Sequence, residues 1–135
     1  MEAIDEVTRE FLNECYKNLD LMARDLSSLE RQPAQLEPSV RFCRSLHTFK
    51  GTAGMLEFTR VQKMAQAGEN LLMKVRDGKL AFQPKHVEVL RRLSNSLEDA
   101  LEMIQRGRTD EDLDWEPLTK EIQALALEST KARKG

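Results

Sequence analysis

The 135-residue sequence predicts an all-α protein, an antiparallel, up-down-up-down four-helix bundle with an additional fifth helix at its C-terminal end. Three observations favour this fold class. Leucine occurs 19 times against nine valines and isoleucines together, and glycine and proline contribute only ten positions, a balance typical of helix rather than strand. Apolar residues recur at steps of three and four through four long segments. The breaks between these segments are short, as between antiparallel neighbours.

The first two helices are predicted over residues 3–31 and 38–56. A polar break at residues 32–35 separates them, and Pro38 suits the first position of the second helix because its missing N–H needs no partner there. The apolar stripe of the first helix consists of Ile4, Val7, Phe11, Cys15, Leu19, Met22, Leu26 and Leu29. The buried side of the second helix consists of Phe42, Leu46, Phe49, Ala53 and Leu56.

The third and fourth helices are predicted over residues 59–77 and 84–106. Gly78 can adopt the left-handed conformation that ends a helix, Pro84 suits the start of the next one, and Gly107 ends it. The stripe of the third helix consists of Val61, Met64, Ala65, Gly68, Leu71, Leu72 and Val75. The stripe of the fourth consists of Val87, Leu90, Leu93, Leu97, Leu101 and Ile104.

The C-terminal part of the chain is expected to add one short helix to the bundle. A polar linker over residues 108–112 leads to this fifth helix, predicted over residues 114–129 with Asp114 as its cap. We expect Trp115 to fasten the fifth helix to the bundle, and the alternative is that it anchors a partner. His86, in the first turn of the fourth helix, is expected to be a solvated surface residue.

Length and charge restrict the class of protein. They favour one domain over residues 1–130, followed at 131–135 by a linker or disordered tail. The net charge of −2, from 21 basic and 23 acidic side chains, argues against nucleic-acid binding. Because there is no apolar run of ~20 residues and no signal sequence, we expect no membrane contact and a cytoplasmic location. Cys15 and Cys43 lack metal-ligand spacing and are expected to be reduced, half-buried thiols.

The second helix carries a motif that packing alone does not require, His47-x-x-Lys50-Gly51-x-x-Gly54. At 100° per residue, Lys50 lies about 60° to one side of His47. Gly51 lies about 40° to the other side, and Gly54 is about 20° away. All four positions share the helix face opposite the core. We therefore expect His47 to point to solvent beside a cation and two positions without side chains.

The two glycines of this motif need a reason, because glycine inside a helix costs about 0.8–1 kcal/mol relative to alanine. One explanation is access, since a low surface beside His47 lets a partner or a bulky reactant approach. The other is close packing of Gly51 and Gly54 against the third helix. Their conjunction with His47 and Lys50 on one face favours a functional surface.

A solitary histidine in this setting can act as a covalent acceptor. The sequence has no spacing typical of a hydrolytic triad, of zinc ligation or of a di-iron bundle. Neutral imidazole is a nucleophile, and the charge of Lys50 suits an incoming phosphoryl group. A carboxylate would orient the ring. Glu69 on the third helix is one candidate among several acids in reach, and we expect such a pair to lie near the surface.

Residues 45–54 (SLHTFKGTAG), 58–59 (FT) and 68–72 (GENLL) resemble the histidine phosphotransfer (HPt) domain. The variety most similar is the N-terminal phosphoacceptor domain of chemotaxis-type histidine kinases. The resemblance is dense over residues 42–78, and outside that window only the helix pattern, the length and the fifth helix agree. It implies a phosphorelay component of two-component signalling.

The resemblance also implies a role for each residue of the site. His47 would accept a phosphoryl group from the ATP-binding domain of a kinase and donate it to an aspartate of a response regulator. Lys50 would help to bind or activate the phosphoryl group. Glu69 matches the carboxylate that orients the active imidazole in the family.

The surface around His47 would receive the partner proteins. We assign Gly51, Gly54 and Cys43 to this docking surface, with Cys43 packed near the helix interface. Two residues depart from the family pattern. Gln66, which we assign to the reactive site with His47, Lys50 and Glu69, stands where the family often has a second histidine, and an amide there hydrogen-bonds but does not titrate. Glu57 stands where the turn after the second helix often has glycine, which puts the geometry of that turn in question.

The remaining parts of a kinase have no counterpart in this sequence. There is no glycine-rich nucleotide loop and no dimerisation segment, so we expect no cofactor in this domain and no ATP-dependent kinase activity from this chain alone. ATP and Mg²⁺ would be bound by a separate kinase domain, and Mg²⁺ also by the response regulator. We expect a monomeric domain that is an N-terminal piece of a larger protein, and the alternative is a stand-alone phosphorelay shuttle. The alternative function is a helical interaction module in which phosphorylation is not used.

Overall fold

A computed structural model describes residues 5–128, which form five α-helices and contain no strand. In chain order, the helices are α1 (Glu6–Arg31), α2 (Leu36–Met55), α3 (Thr59–Arg76), α4 (Pro84–Gln105) and α5 (Glu116–Leu127). Each of the first four helices packs on its neighbour in sequence, and α1 also packs on α4, which closes the bundle. Helix α5 lies against α3 and α4. The all-α bundle with an added helix is therefore confirmed.

Three predicted helix starts differ from the structure. Helix α1 begins at Glu6 rather than at residue 3, because Asp5 caps it by accepting a hydrogen bond from the N–H of Thr8. Helix α2 begins at Leu36 rather than Pro38, because the first turn of a helix has no N–H partners and accepts proline at its third position as well. Helix α5 begins at Glu116, and Trp115 rather than Asp114 takes its N-cap position without a side-chain hydrogen bond. Pro117, in the first turn, favours this start. Residues 3–4, 129 and the tail 131–135 lie outside the described residues.

The core follows the predicted stripes with two corrections. Val7 is 59% exposed, because it lies in the first turn of α1, four residues before Phe11 begins the packed part of that helix. Cys15 is completely buried rather than half-buried, and burial, assisted by the charge of Glu14, raises the pKa of its thiol to about 12. Cys43 is partly buried as expected.

The segment between α4 and α5 contains a buried carboxylate rather than only solvated polar residues. Asp110 is 3% exposed, and its Oδ2 accepts hydrogen bonds of 2.9 Å from the backbone N–H groups of both Arg60 and Val61. These N–H groups belong to the first turn of α3, where they lack partners within the helix and where the helix dipole favours negative charge. The prediction of a purely polar linker at 108–112 missed this cap.

The turn after α2 keeps a left-handed residue although the sequence has no glycine there. Glu57 has a φ of 64°, whereas the other described left-handed positions are glycines, Gly78 at 75° and Gly107 at 80°. The N–H of Phe58 donates to the carbonyl of Ala53, which closes the helix end. The departure at Glu57 therefore leaves the turn in place, with a side chain in a conformation that glycine adopts more readily.

His86 is buried, so its prediction as a solvated surface residue is wrong. Its Nδ1 accepts a hydrogen bond of 2.9 Å from the backbone N–H of Gln83, just before α4, and its ring stacks on Phe82. Burial is the main cause that lowers the pKa of His86, with a further contribution from Lys85. The imidazole closes the N-terminus of α4 as an uncharged group.

Two absences apply to the described part of the chain only. No helix within residues 5–128 is long and apolar enough to cross a membrane. The same residues contain no group of three or more histidine, cysteine, aspartate or glutamate side chains arranged to hold a metal ion.

Candidate functional site

Helix α2 holds His47 on the face turned away from the core. Its imidazole is 66% exposed, while Leu46 and Phe49, on the opposite side of the same turn, are completely buried. The helical spacing that separates the two faces is the one that the sequence predicted. The buried side of α2 packs against both α1 and α3. The structure therefore presents the His47 imidazole to solvent from a helix that is packed on two sides.

Glu69 on α3 joins His47 and Lys50 through its two carboxylate oxygens. Its Oε2 lies 2.8 Å from Nδ1 of His47, and its Oε1 lies 2.8 Å from Nζ of Lys50. Of the acids that the sequence left as candidates, Glu69 is therefore the one that lies within hydrogen-bond distance of His47. Glu69 is less accessible than we expected, because its side chain is only 10% exposed beneath the His47 and Lys50 side chains.

The charge state of Glu69 determines which imidazole nitrogen is free. Burial raises the pKa of Glu69, but the hydrogen bonds and charges of Lys50 and His47 outweigh burial and lower it overall. Glu69 is therefore ionised near neutral pH, and a carboxylate can only accept a hydrogen bond. The Nδ1 atom of His47 must then carry the proton, which leaves the lone pair on Nε2. Within residues 5–128, no group hydrogen-bonds this Nε2.

Gln66 does not join this group. Its amide Nε2 donates a hydrogen bond of 2.8 Å to Oδ1 of Asn70 on the same helix, and its side chain lines a cleft between α3 and α5. Gln66 lies one turn of α3 before Glu69, and its amide is bound to Asn70 instead of the imidazole. Within residues 5–128, no hydrogen bond joins the Gln66 amide to His47, and a part for Gln66 at the reactive site stays a prediction.

The two glycines of the motif have different surroundings. Among the described residues, a Cβ atom at Gly51 would meet nothing within 4 Å, so this position is exposed. A Cβ atom at Gly54 would lie 2.8 Å from the side-chain amide nitrogen of Gln62 on α3. Close packing against α3 therefore helps to explain why residue 54 is glycine, but it does not explain the glycine at position 51. Of the two explanations that the sequence left open, packing applies to Gly54, and access for a partner is the one that remains for Gly51.

A pocket of about 220 Å³ adjoins His47 on its N-terminal side, between α2 and α3. Cys43 lines it, and its thiol lies 3.8 Å from the backbone carbonyl oxygen of Glu69. Two arginines that the sequence analysis did not single out also line this pocket, Arg44 from α2 and Arg76 from α3. The position of Arg44 three residues before His47 was a signal available in the sequence, whereas the approach of Arg76 depends on how α3 packs.

Both the sequence and the fold have counterparts among known proteins. The chain matches the Hpt domain family over residues 6–128 and belongs to that family. It is 26% identical to the sensor histidine kinase CheAY of Helicobacter pylori over 140 residues, which cover 98% of this chain and 17% of that protein. It is 31% identical to the chemotaxis protein CheA of Listeria monocytogenes over 97 residues, which cover 72% of this chain and 16% of that protein.

The chain thus spans about one sixth of the length of these curated relatives. Its fold is similar to that of the phosphorylated P1 domain of CheA3, solved in complex with CheY6 from R. sphaeroides. That similarity has a TM-score of 0.82 and covers 90% of this chain and 95% of the other, at 24% identity. The chain is therefore a histidine phosphotransfer domain similar to those of chemotaxis kinases.

Proposed function

We propose that His47 accepts a phosphoryl group from the ATP-binding domain of a chemotaxis-type histidine kinase and donates it to an aspartate of a response regulator. One observation carries this proposal. The exposed imidazole has its Nδ1 held by the ionised Glu69, so its Nε2 lone pair faces solvent. The names of the relatives, which include histidine kinases and a domain solved with CheY6, support the choice of partners.

In the acceptor step, the Nε2 lone pair of His47 forms a bond to the γ-phosphorus of ATP. The bond between that phosphorus and its bridging oxygen breaks, and ADP leaves with the electron pair. Positive charge develops on the ring and is opposed by the carboxylate of Glu69 at Nδ1. ATP and Mg²⁺ are brought by the separate kinase domain. The chain itself supplies a positioned nucleophile, which is the main requirement in phosphoryl transfer.

In the donor step, a carboxylate oxygen of the response regulator attacks the same phosphorus. The nitrogen–phosphorus bond breaks and its electron pair returns to Nε2 of His47. This step requires the acidic pocket of the regulator to come within bonding distance of the ring. The open surface at Gly51, one turn beyond His47, leaves space for that approach.

The setting of this function is the cytoplasm, where ATP and response regulators meet the domain. The absence of a membrane-spanning helix within residues 5–128 is consistent with this setting. We expect the isolated domain to act as a monomer, because the proposed chemistry uses residues of one bundle only.

The test is transfer of label from ATP labelled at its γ-phosphate. A chemotaxis-type kinase core that lacks its own phosphoacceptor domain is mixed with this chain, ATP and Mg²⁺. We expect an acid-labile, alkali-stable label on the chain and its loss in His47→Gln. His86→Gln is the matched control, because His86 is the other histidine of the sequence and must leave the label unchanged.

Addition of a response regulator then tests the donor step. We expect the label to move from the chain to the regulator within the time of mixing. A chain that binds the regulator but takes no label at His47 would instead act as an interaction module, and the phosphotransfer proposal would be abandoned.

A further inference from the structure

The charges around His47 leave the incoming phosphoryl group short of positive partners. The Lys50 ammonium already lies 2.8 Å from Glu69, so most of its charge is balanced before any phosphate arrives. A phosphoryl group brings about two negative charges to the site. A further cation within reach of His47 would therefore favour the phosphorylated state.

Arg44 and Arg76 are the cations that meet this description. Both side chains line the pocket beside His47, Arg44 from the preceding turn of α2 and Arg76 from across the pocket on α3. Within residues 5–128, Arg44 forms no ion pair. In the same part of the chain, the ion-pair partner of Arg76 is the exposed Asp77 next to it in sequence, at 3.4 Å.

The influence of Arg76 extends into the pocket. Burial and the charge of Glu69 raise the pKa of the Cys43 thiol, while the charge of Arg76 is the largest influence that lowers it. The guanidinium therefore acts on the interior of the pocket as well as on the surface outside. Guanidinium groups bind phosphate oxygens through paired N–H donors, so two of them around a small pocket suit a tetrahedral anion.

We propose that Arg44, assisted by Arg76, binds the oxygens of the phosphoryl group at His47 on the side opposite Lys50. The pair acts as a positioning group for the transferred phosphoryl, whatever molecule donates it. This inference rests on the proposed function, because it assumes that His47 is the acceptor. It adds an anion site and two residues to the chemistry already assigned to His47, Lys50 and Glu69.

The experiment uses phosphoramidate, a small donor that needs neither kinase nor regulator. The Nε2 lone pair of His47 forms the bond to phosphorus, the phosphorus–nitrogen bond of phosphoramidate breaks, and ammonia leaves with that electron pair. Phosphorylated chain is measured over time by intact mass. We expect Arg44→Gln to lower the rate about tenfold at subsaturating phosphoramidate, as loss of one charge-assisted contact would. Arg76→Gln is expected to have a smaller effect, and Arg44→Lys to restore part of the rate.

A matched control separates this effect from a general loss of charge. Arg24→Gln makes the same change of net charge on α1, where Arg24 shares a second groove with Arg44 but does not line the pocket at His47. We expect wild-type rates in this variant and wild-type circular dichroism in all of them. Equal rates in Arg44→Gln and Arg24→Gln would overturn the proposal.

A second measurement checks ground-state binding. Inorganic phosphate is titrated into the unmodified chain and the His47 ring resonances are followed by NMR. We expect a weak, saturable shift in wild type and in Arg24→Gln that is reduced in Arg44→Gln. If the shift is the same in all three chains, Arg44 does not bind the anion. Neither measurement includes a kinase core, so a chain that fails with the kinase but passes here would contradict the proposed function and leave the anion site supported.

Discussion

Glu69 shows how one buried carboxylate can define the chemistry of an exposed histidine. It selects the Nδ1–H tautomer of His47 and also holds Lys50. Both contacts depend on the negative charge of Glu69. Glu69→Gln keeps the shape of the side chain but removes this charge, and with it the ability to orient His47. We expect this variant to accept phosphoryl from a kinase core about 10- to 100-fold more slowly, as other losses of an orienting partner do.

The stability of Glu69→Gln is also expected to change. Since Glu69 lies largely beneath its partners, Lys50 would lose a partly buried counter-charge, and we expect a loss of about 1 kcal/mol in the free energy of unfolding. Glu98→Gln on the exposed face of α4 is the control for both measurements. Wild-type labelling of the Glu69 variant would show that the imidazole needs no orienting group.

The burial of His86 leads us to expect that the stability of the chain depends on pH. Its pKa is lowered in the folded state from an ordinary value of 6.5, chiefly by burial. As the pH falls below about 6.5, the unfolded chain takes up a proton that the folded chain resists, so the free energy of unfolding must decrease. Above that pH the residue is neutral in both states and has no effect. Urea unfolding between pH 5 and 8 should show a flatter profile in His86→Gln than in wild type, and identical slopes would contradict this assignment.

At the scale of helix α2, the structure separates the roles of the two glycines. A Cβ atom at Gly51 would meet no atom of the described chain within 4 Å, so Gly51→Ala should raise the free energy of unfolding by about 0.5–1 kcal/mol through helix propensity. Gly51→Gln should fold equally well, yet slow transfer from phosphorylated His47 to a response regulator. Thermal unfolding and the transfer rate, measured on the same variants, test both statements.

Gly54 provides the contrast within the same helix. A Cβ atom there would press on the end of the Gln62 side chain, which must move. We therefore expect Gly54→Ala to stabilise the chain less than Gly51→Ala does, and the difference to diminish in a Gln62→Ala background.

The transfer rate of Gly51→Gln tests the docking surface separately. If that rate is unaffected, the face of α2 that carries Gly51 is not part of the docking surface.

The turn that ends α2 carries strain that glycine would relieve. Glu57 adopts a left-handed conformation, which costs a residue with a Cβ atom about 1–2 kcal/mol. Glu57→Gly removes that cost but loosens the unfolded chain, so we expect a net gain of about 0.5 kcal/mol by urea unfolding. Gly78→Ala is the reverse test, since its φ is also positive and its surroundings are open, and it should destabilise the chain. A lower free energy of unfolding in Glu57→Gly would show that the left-handed conformation of Glu57 does not destabilise the folded chain.

At the scale of the whole molecule, Asp110 connects the α4–α5 segment to the start of α3, 50 residues away in sequence from Arg60. Its buried carboxylate replaces a local cap, because Phe58, at the N-cap position of α3, offers no side-chain acceptor. Asp110→Ala should therefore lower the free energy of unfolding by about 1–2 kcal/mol. Asp112→Ala is the matched control, since Asp112 is exposed and its ion-pair partner within residues 5–128 is the exposed Arg108. Equal losses in the two variants would contradict the capping role.

The sequence by itself determined the helix pattern, the core stripes and the outward face of His47, because helical periodicity is a local property that burial of one face makes visible. It also pointed to Glu69 and to the family. Tertiary structure decided what depends on the approach of distant segments. Packing of α3 against α2 gave Glu69 its two partners and brought Arg76 to the pocket of Arg44. Packing of the α4–α5 segment against α3 also buried Asp110, whose carboxylate accepts hydrogen bonds from N–H groups of the first turn of α3. No spacing in the sequence predicts this contact, because its two sides are about 50 residues apart.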